Sequence, residues 1–225
     1  MDKFETTEIS VVVVANSNNP TILNPDFLRI NYIVPENWEL AKPPICVEPM
    51  AEVAYKNNVR ITAQLDRVMF HENFMTGQVN TSNIKKLSSQ YIKTIPHVNY
   101  KAVGINFAGH IGIKNLYNFS PESVIKQGDW LKFGDRDVQT ALTFKYSIDS
   151  SMCSLSIDRN LIKQNDQEIP IIIFRANFHR NIETDNQKEK LEIINNYLDK
   201  VDGDYSIFLA LVENIFLGKE AQNAQ

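Results

Sequence analysis

Cysteine and excess charge are both scarce in this sequence. Its 225 residues contain two cysteines, Cys46 and Cys153, which lie far apart and match no metal-ligand spacing. We therefore predict two reduced thiols, as in cytoplasmic proteins, and neither a disulfide nor a metal site. The formal net charge of −4 lacks the basic excess of most nucleic-acid-binding surfaces, so nucleic acid is not expected as a partner.

Long hydrophobic runs are missing as well. The longest apolar stretch, residues 205–217, contains Glu213 and Asn214 and falls short of the roughly 20 residues that span a bilayer. The first residues are acidic where a secretory signal would be basic, and the four valines at 11–14 are too few for the hydrophobic part of a signal. These features predict a cytoplasmic protein with no membrane partner.

The signature motifs of several large enzyme classes are absent too. The sequence contains no Gly-x-x-x-x-Gly-Lys-Ser/Thr, no Gly-x-Gly-x-x-Gly, no Gly-x-Ser-x-Gly and no His-Glu-x-x-His. P-loop, Rossmann, α/β-hydrolase and zincin proteins therefore each lack their usual signature here. We predict no cofactor and no metal, and a non-catalytic role is favoured over an enzymatic one.

The spacing of hydrophobic residues predicts an α+β protein. The chain is 43% hydrophobic and 10% aromatic, which is typical of a globular domain. We expect mainly antiparallel sheets in two packed lobes, with helices on one face and an apolar C-terminal helix. The predicted strands are 9–15, 27–34, 51–55, 59–63, 67–71, 100–107, 138–148, 152–157 and 169–178. The predicted helices lie at 84–95, from the capping box at 184–187 to 201, and at 205–217.

The domain boundary is placed at the least periodic part of the chain. Residues 1–113 are predicted to form an N-terminal α+β lobe, residues 114–136 a connecting segment, and residues 137–225 a C-terminal α+β lobe. Residues 104–110 weakly resemble 175–179, and each lobe has three strands near one helix. Duplication would explain this resemblance, but so would the frequent use of Asn at strand ends and Phe in cores.

Two histidines and two aspartates are the candidates for catalysis. His110 and His179 follow strands, and histidine is the side chain that titrates near neutral pH. Asp135 and Asp137 flank Arg136 and could hold a cation or a phosphate. These residues would form a hydrolase or a metal-dependent nuclease with its site between the lobes. The simpler interpretations are capping histidines and a charged strand edge.

Amide and lysine side chains provide two further candidates. Asn106 and Asn177 stand at matching places in the internal resemblance, so a small ligand bound between the lobes would contact both amides. Lys85, Lys86, Lys93 and Lys101 surround Tyr91 and form one basic neighbourhood. For the lysines, a solvated helix face is the simpler interpretation.

The C-terminal helix carries too many apolar residues for one buried face. A helix that is apolar on nearly every side is either covered within the fold or lies in an interface with another chain. We therefore predict a non-catalytic, cytoplasmic interaction subunit of a homo- or hetero-oligomeric assembly. The predicted interface residues are Ile207, Phe208, Leu211, Val212, Ile215 and Phe216.

One short segment suggests a source for the protein. Asn24-Pro25-Asp26-Phe27-Leu28, followed by Ile33-Val34-Pro35-Glu36-Asn37-Trp38, resembles a segment of bacterial proteins of similar length that carry no assigned activity. The resemblance implies a bacterial protein. It covers less than a tenth of the chain and attaches no catalytic or binding role to any residue.

Overall fold

The computed structural model describes residues 3–74, 79, 81–112, 121–126, 128–129, 140–164 and 166–218. Within this part of the chain, nine antiparallel strands form one sheet in the order β2-β3-β4-β5-β1-β6-β9-β8-β7. The strands are β1 (Glu5–Asn16), β2 (Ile45–Val47), β3 (Met50–Ala54), β4 (Val59–Gln64), β5 (Arg67–Asn73), β6 (Asn99–Gly112), β7 (Ala141–Ile148), β8 (Ser151–Gln164) and β9 (Gln167–Asn181).

The helices lie on one face of this sheet, so the structure is of the α+β class. Aromatic contacts join the two layers: Phe70 of β5 lies 5.4 Å from Tyr91, and Phe107 of β6 lies 5.6 Å from Phe208, measured between ring centroids. The helices are α1 (Pro25–Ile30), α2 (Ser82–Thr94), α3 (Gln187–Leu198) and α4 (Val201–Leu209), and a π-helix over Ala210–Phe216 continues α4. Short 3-10 turns occur at Pro20–Ile22 and Pro121–Val124.

The two halves of the sheet repeat one topology. In the first half, β1 is followed by the meander β3-β4-β5 and by α2, and β5 returns to pair with β1. In the second half, β6 is followed by the meander β7-β8-β9 and by α3, and β9 returns to pair with β6. The halves join where β1 pairs with β6, so the repeat is arranged about an axis between these two strands.

The strand registers locate this axis. His71 of β5 lies opposite Ser10, and His179 of β9 lies opposite Gly104. If the two histidines are equivalent, their partners Ser10 and Gly104 are equivalent too. The next residues along β1 and β6, Val11 and Ile105, then also correspond to each other. Those two residues face each other in the β1–β6 pair, as a twofold axis between them requires.

The repeat differs from the resemblance found in the sequence. Residues 104–110 and 175–179 belong to β6 and β9, which are hydrogen-bonded neighbours. The strands related by the axis are β5 and β9, and they share Arg-x-x-Phe-His-x-Asn at residues 67–73 and 175–181. The Asn106 and Asn177 positions are thus cross-strand partners and not copies of each other.

The predicted N-terminal and C-terminal lobes both contribute strands to this single sheet. It crosses the proposed boundary between residues 113 and 137 through the β6–β9 pairing, so both halves share one layer of strands. Most of the predicted connecting segment, and both Asp135 and Asp137, lie outside the described residues. The division into two lobes stays a prediction.

Two local predictions were wrong. Residues 27–34 were expected to form a strand, but residues 25–30 form α1, because Pro25 occupies its first turn and the Asn24 side chain accepts the Phe27 N–H at 2.8 Å. Residues 202–204 were expected to break the helix before 205. They instead form the first turn of α4, which begins at Val201.

Candidate functional site

Their own chain covers several of the predicted interface residues on the C-terminal helix. Phe208 and Val212 are fully buried, and the Phe208 ring stacks against Phe107. Phe216 is partly buried against Phe174, with 6.2 Å between their ring centroids. This side of the helix packs onto the sheet and contributes to the hydrophobic core.

The side of the helix next to this one is less covered. Ile207 and Leu211 are partly buried and touch the edge of the core, and the Ile215 residue is 70% exposed. A spacing of four residues places these three side chains along one side of the helix. We call Ile207, Leu211 and Ile215 the C-terminal stripe.

A buried ion pair positions the helix that carries this stripe. Arg180 of β9 donates from Nη1 and Nη2 to the two carboxylate oxygens of Asp204 in α4, each at 2.7 Å. Both side chains are almost completely buried, and the Arg180 guanidinium lies 5.9 Å from the centre of the Tyr197 ring. The Tyr205 hydroxyl adds a hydrogen bond to Thr6 of β1 at 3.2 Å. These contacts hold α4 against β1 and β9.

The sheet face that the described helices leave uncovered carries the predicted ligand-binding amides. Asn177 Nδ2 donates to Asn106 Oδ1 at 2.5 Å, and Asn106 Nδ2 donates to Ser10 Oγ at 3.3 Å. These three side chains line a depression of about 510 Å³. The registers place them in one polar row across seven strands, consisting of Lys145, Ser154, Asn177, Asn106, Ser10, His71 and Arg60.

This arrangement brings Asn106 and Asn177 together, as a shared binding site requires. Their amides already hydrogen-bond each other and Ser10, so a ligand would have to compete with these bonds or use the remaining donors and acceptors. Small-ligand binding at this depression stays a prediction.

The two catalytic histidine candidates lie well apart. His110 is opposite Ile173 and His179 is opposite Gly104, so six residues of β9, or about 20 Å, separate them. His179 Nε2 lies 2.9 Å from the Asn181 Oδ1 atom. Burial lowers the pKa of His110, and the nearby Glu5 carboxylate partly offsets this effect. The enzyme alternative also needs Asp135 and Asp137, which lie outside the described residues.

The structure shows one recurring side-chain pair that sequence reasoning missed. His71 Nε2 lies 3.0 Å from Asn73 Oδ1, matching the His179–Asn181 pair of the other half. His71 Nδ1 also lies 3.3 Å from a Glu8 carboxylate oxygen. The repeated His-x-Asn at 71–73 and 179–181 was the available signal in the sequence.

Comparisons with known proteins name no relative. No family model, no curated protein sequence and no solved structure matches the chain. In the described part of the chain, no helix has the length and apolar character needed to cross a membrane. The same residues contain no cluster of three or more His, Cys, Asp or Glu side chains that could hold a metal ion.

Proposed function

We propose that the protein is a non-catalytic, cytoplasmic interaction subunit that self-associates through the C-terminal stripe. The observation that carries this proposal is the exposure of Ile215, which is 70% accessible and lies in line with the partly exposed Ile207 and Leu211. Other large side chains of the same helix, such as Phe208 and Val212, are fully buried against the sheet, whereas most of Ile215 is left accessible.

Burial of the stripe in an interface would supply association energy. Complete burial of one aliphatic side chain of this size is worth about 1.5–3 kcal/mol. A second copy of the chain offers the same stripe, and two identical helices can cross about a twofold axis so that each covers the other. Self-association therefore uses one surface for both partners.

The thiols support the cytoplasmic part of the proposal. Cys46 is exposed and Cys153 is fully buried, and neither forms a disulfide. Burial raises the pKa of the Cys153 thiol to about 11, so it stays protonated and unreactive at neutral pH. An exposed free thiol such as Cys46 is suited to a reducing compartment.

Replacement of Ile215 by lysine tests the proposal. The side chain is exposed, so Ile215→Lys should leave the fold intact, while the buried charge would oppose any interface built on the stripe. Light scattering after size-exclusion chromatography should give a dimer for the wild-type protein and a monomer for Ile215→Lys.

Ser206→Lys is the matched control, because it adds the same charge at an exposed position of the same helix. This variant should remain a dimer. A monomeric wild-type protein, or a dimer that tolerates Ile215→Lys, would contradict self-association through the stripe.

A further inference from the structure

A groove on the helical side of the molecule lies away from the C-terminal stripe. It runs between α2 and the loop of residues 32–38, and its volume is about 570 Å³. Among its lining residues Ile33, Val34 and Leu87 are buried, so the accessible apolar surface comes from the partly buried Trp38 and the exposed Tyr32 and Pro35. The groove therefore offers apolar contact area that the chain itself leaves open.

The α2 wall of the groove is basic. The thirteen residues of α2 include Lys85, Lys86 and Lys93 and no Asp or Glu, and all three lysines line the groove. Lys85 forms an ion pair with Asp199 at 2.8 Å, whereas the described residues give Lys86 and Lys93 no ion pair. The chain as a whole has a net charge of −4, so the positive charge of α2 is a local feature of this surface.

An exposed tyrosine stands at the rim of the groove. Tyr32 is 81% exposed, and its φ of 55° lies in the left-handed region that a bulky side chain rarely adopts. The Tyr32 N–H donates to the Arg29 carbonyl at 3.0 Å, which fixes this backbone at the end of α1. The neighbouring Ile30 is 68% exposed. Tyrosine and tryptophan are the residues most often found at the energetic centre of a protein interface.

We infer that this groove binds an acidic peptide segment of a partner protein. An apolar side chain of the peptide packs against Trp38 and Pro35, and its carboxylates meet the ammonium groups of Lys86 and Lys93. Tyr32 packs on the peptide from the rim. This site is separate from the C-terminal stripe, so it adds a second kind of partner to the proposed self-association.

A nucleic acid would also be attracted to lysines, but the groove suits it less well. Of the three lysines that line the groove, only Lys86 and Lys93 are without an ion pair in the described structure, so a phosphate backbone would meet few free cations here. Nucleic-acid surfaces usually carry more cations than this. The apolar lining is suited to a hydrophobic side chain of a peptide.

Fluorescence anisotropy with a labelled peptide of alternating glutamate and leucine tests the inference. The wild-type protein should bind this probe saturably. The double variant Lys86→Glu/Lys93→Glu should weaken binding at least about tenfold, because each reversal replaces an attraction with a repulsion. Lys188→Glu reverses an exposed lysine on α3 and is the matched control, with affinity expected to stay within about twofold of wild type.

The variant Tyr32→Gly distinguishes a loss of peptide binding from a loss of folding. Glycine adopts a φ of 55° without strain, so this variant should unfold at a higher temperature than the wild type and yet bind the peptide less tightly.

Unchanged peptide affinity in the lysine double variant would overturn the inference. So would oligothymidylate binding that is as tight as peptide binding and equally sensitive to the lysine reversals, since the groove would then be a nucleic-acid site.

Discussion

Gly109 occupies one of the tightest places in the sheet. A Cβ atom at this position would lie 2.4 Å from Phe4 Cζ and 2.6 Å from the Glu5 carbonyl oxygen. Phe4 is itself held between Phe174 and Phe208, with 5.8 Å between its ring centroid and each of theirs. The ring cannot move away without disturbing the contact between the sheet and α4, so the absence of a side chain at 109 permits this packing.

Gly109→Ala should therefore destabilise the protein. We expect a loss of about 1–3 kcal/mol in the free energy of unfolding, as for other overpacked core positions, measured by urea denaturation. Gly203→Ala is the opposite case, because no atom lies within 4 Å of its added Cβ and the residue is inside α4. That change should stabilise the protein by about 0.5–1 kcal/mol. Equal effects of the two substitutions would refute this packing argument.

Helix α4 depends on a pair of charges that hydrophobic patterns do not reveal. Residues 202–204 look like a helix break in the sequence, yet Asp204 faces inward and meets Arg180 of β9. By contrast, α2 was predicted at 84–95 and observed at Ser82–Thr94, because apolar residues at helical spacing report directly on a buried face. For α1, the local cap formed by Asn24 prevailed over an alternating pattern that suggested a strand.

Asp204→Ala should destabilise the protein by about 3–5 kcal/mol, since it leaves the Arg180 charge buried without a partner. Removing both charges in Arg180→Met/Asp204→Leu should recover most of this loss. Lys56→Ala breaks the exposed pair with Glu39 and should have little effect. Chemical denaturation of the three variants measures each free energy, and a double variant as unstable as Asp204→Ala would contradict this role for the ion pair.

The whole molecule is organised around the β1–β6 pair. The individual strands were largely predictable, because β-branched and alternating patterns mark β1, β4, β5 and β9 in the sequence. The order of the strands in the sheet was not predictable, because strand pairing joins residues such as Val11 and Ile105 that are distant along the chain. The contact between Asn106 and Asn177 likewise depends on register, which no local pattern specifies.

Because the sheet is continuous, the two halves should unfold together. Val11 is fully buried beside the axis, so Val11→Ala should lower amide protection in β4 and in β8 by the same free energy, measured by native-state hydrogen exchange. Gln64 and Met152 carry amides in these two strands and report on opposite halves. Loss of protection confined to β4 would mean that the halves unfold independently.

The axis between Val11 and Ile105 has one more consequence. Two identical short chains, each with one half of this topology, would make the same sheet by joining their first strands edge to edge. In the present protein a single polypeptide supplies both strands, so their encounter is intramolecular and does not depend on dilution. The geometry is that of two subunits joined in one chain. The two halves carry different surfaces, because the first has a basic groove beside α2 and the second has an apolar helix after α3.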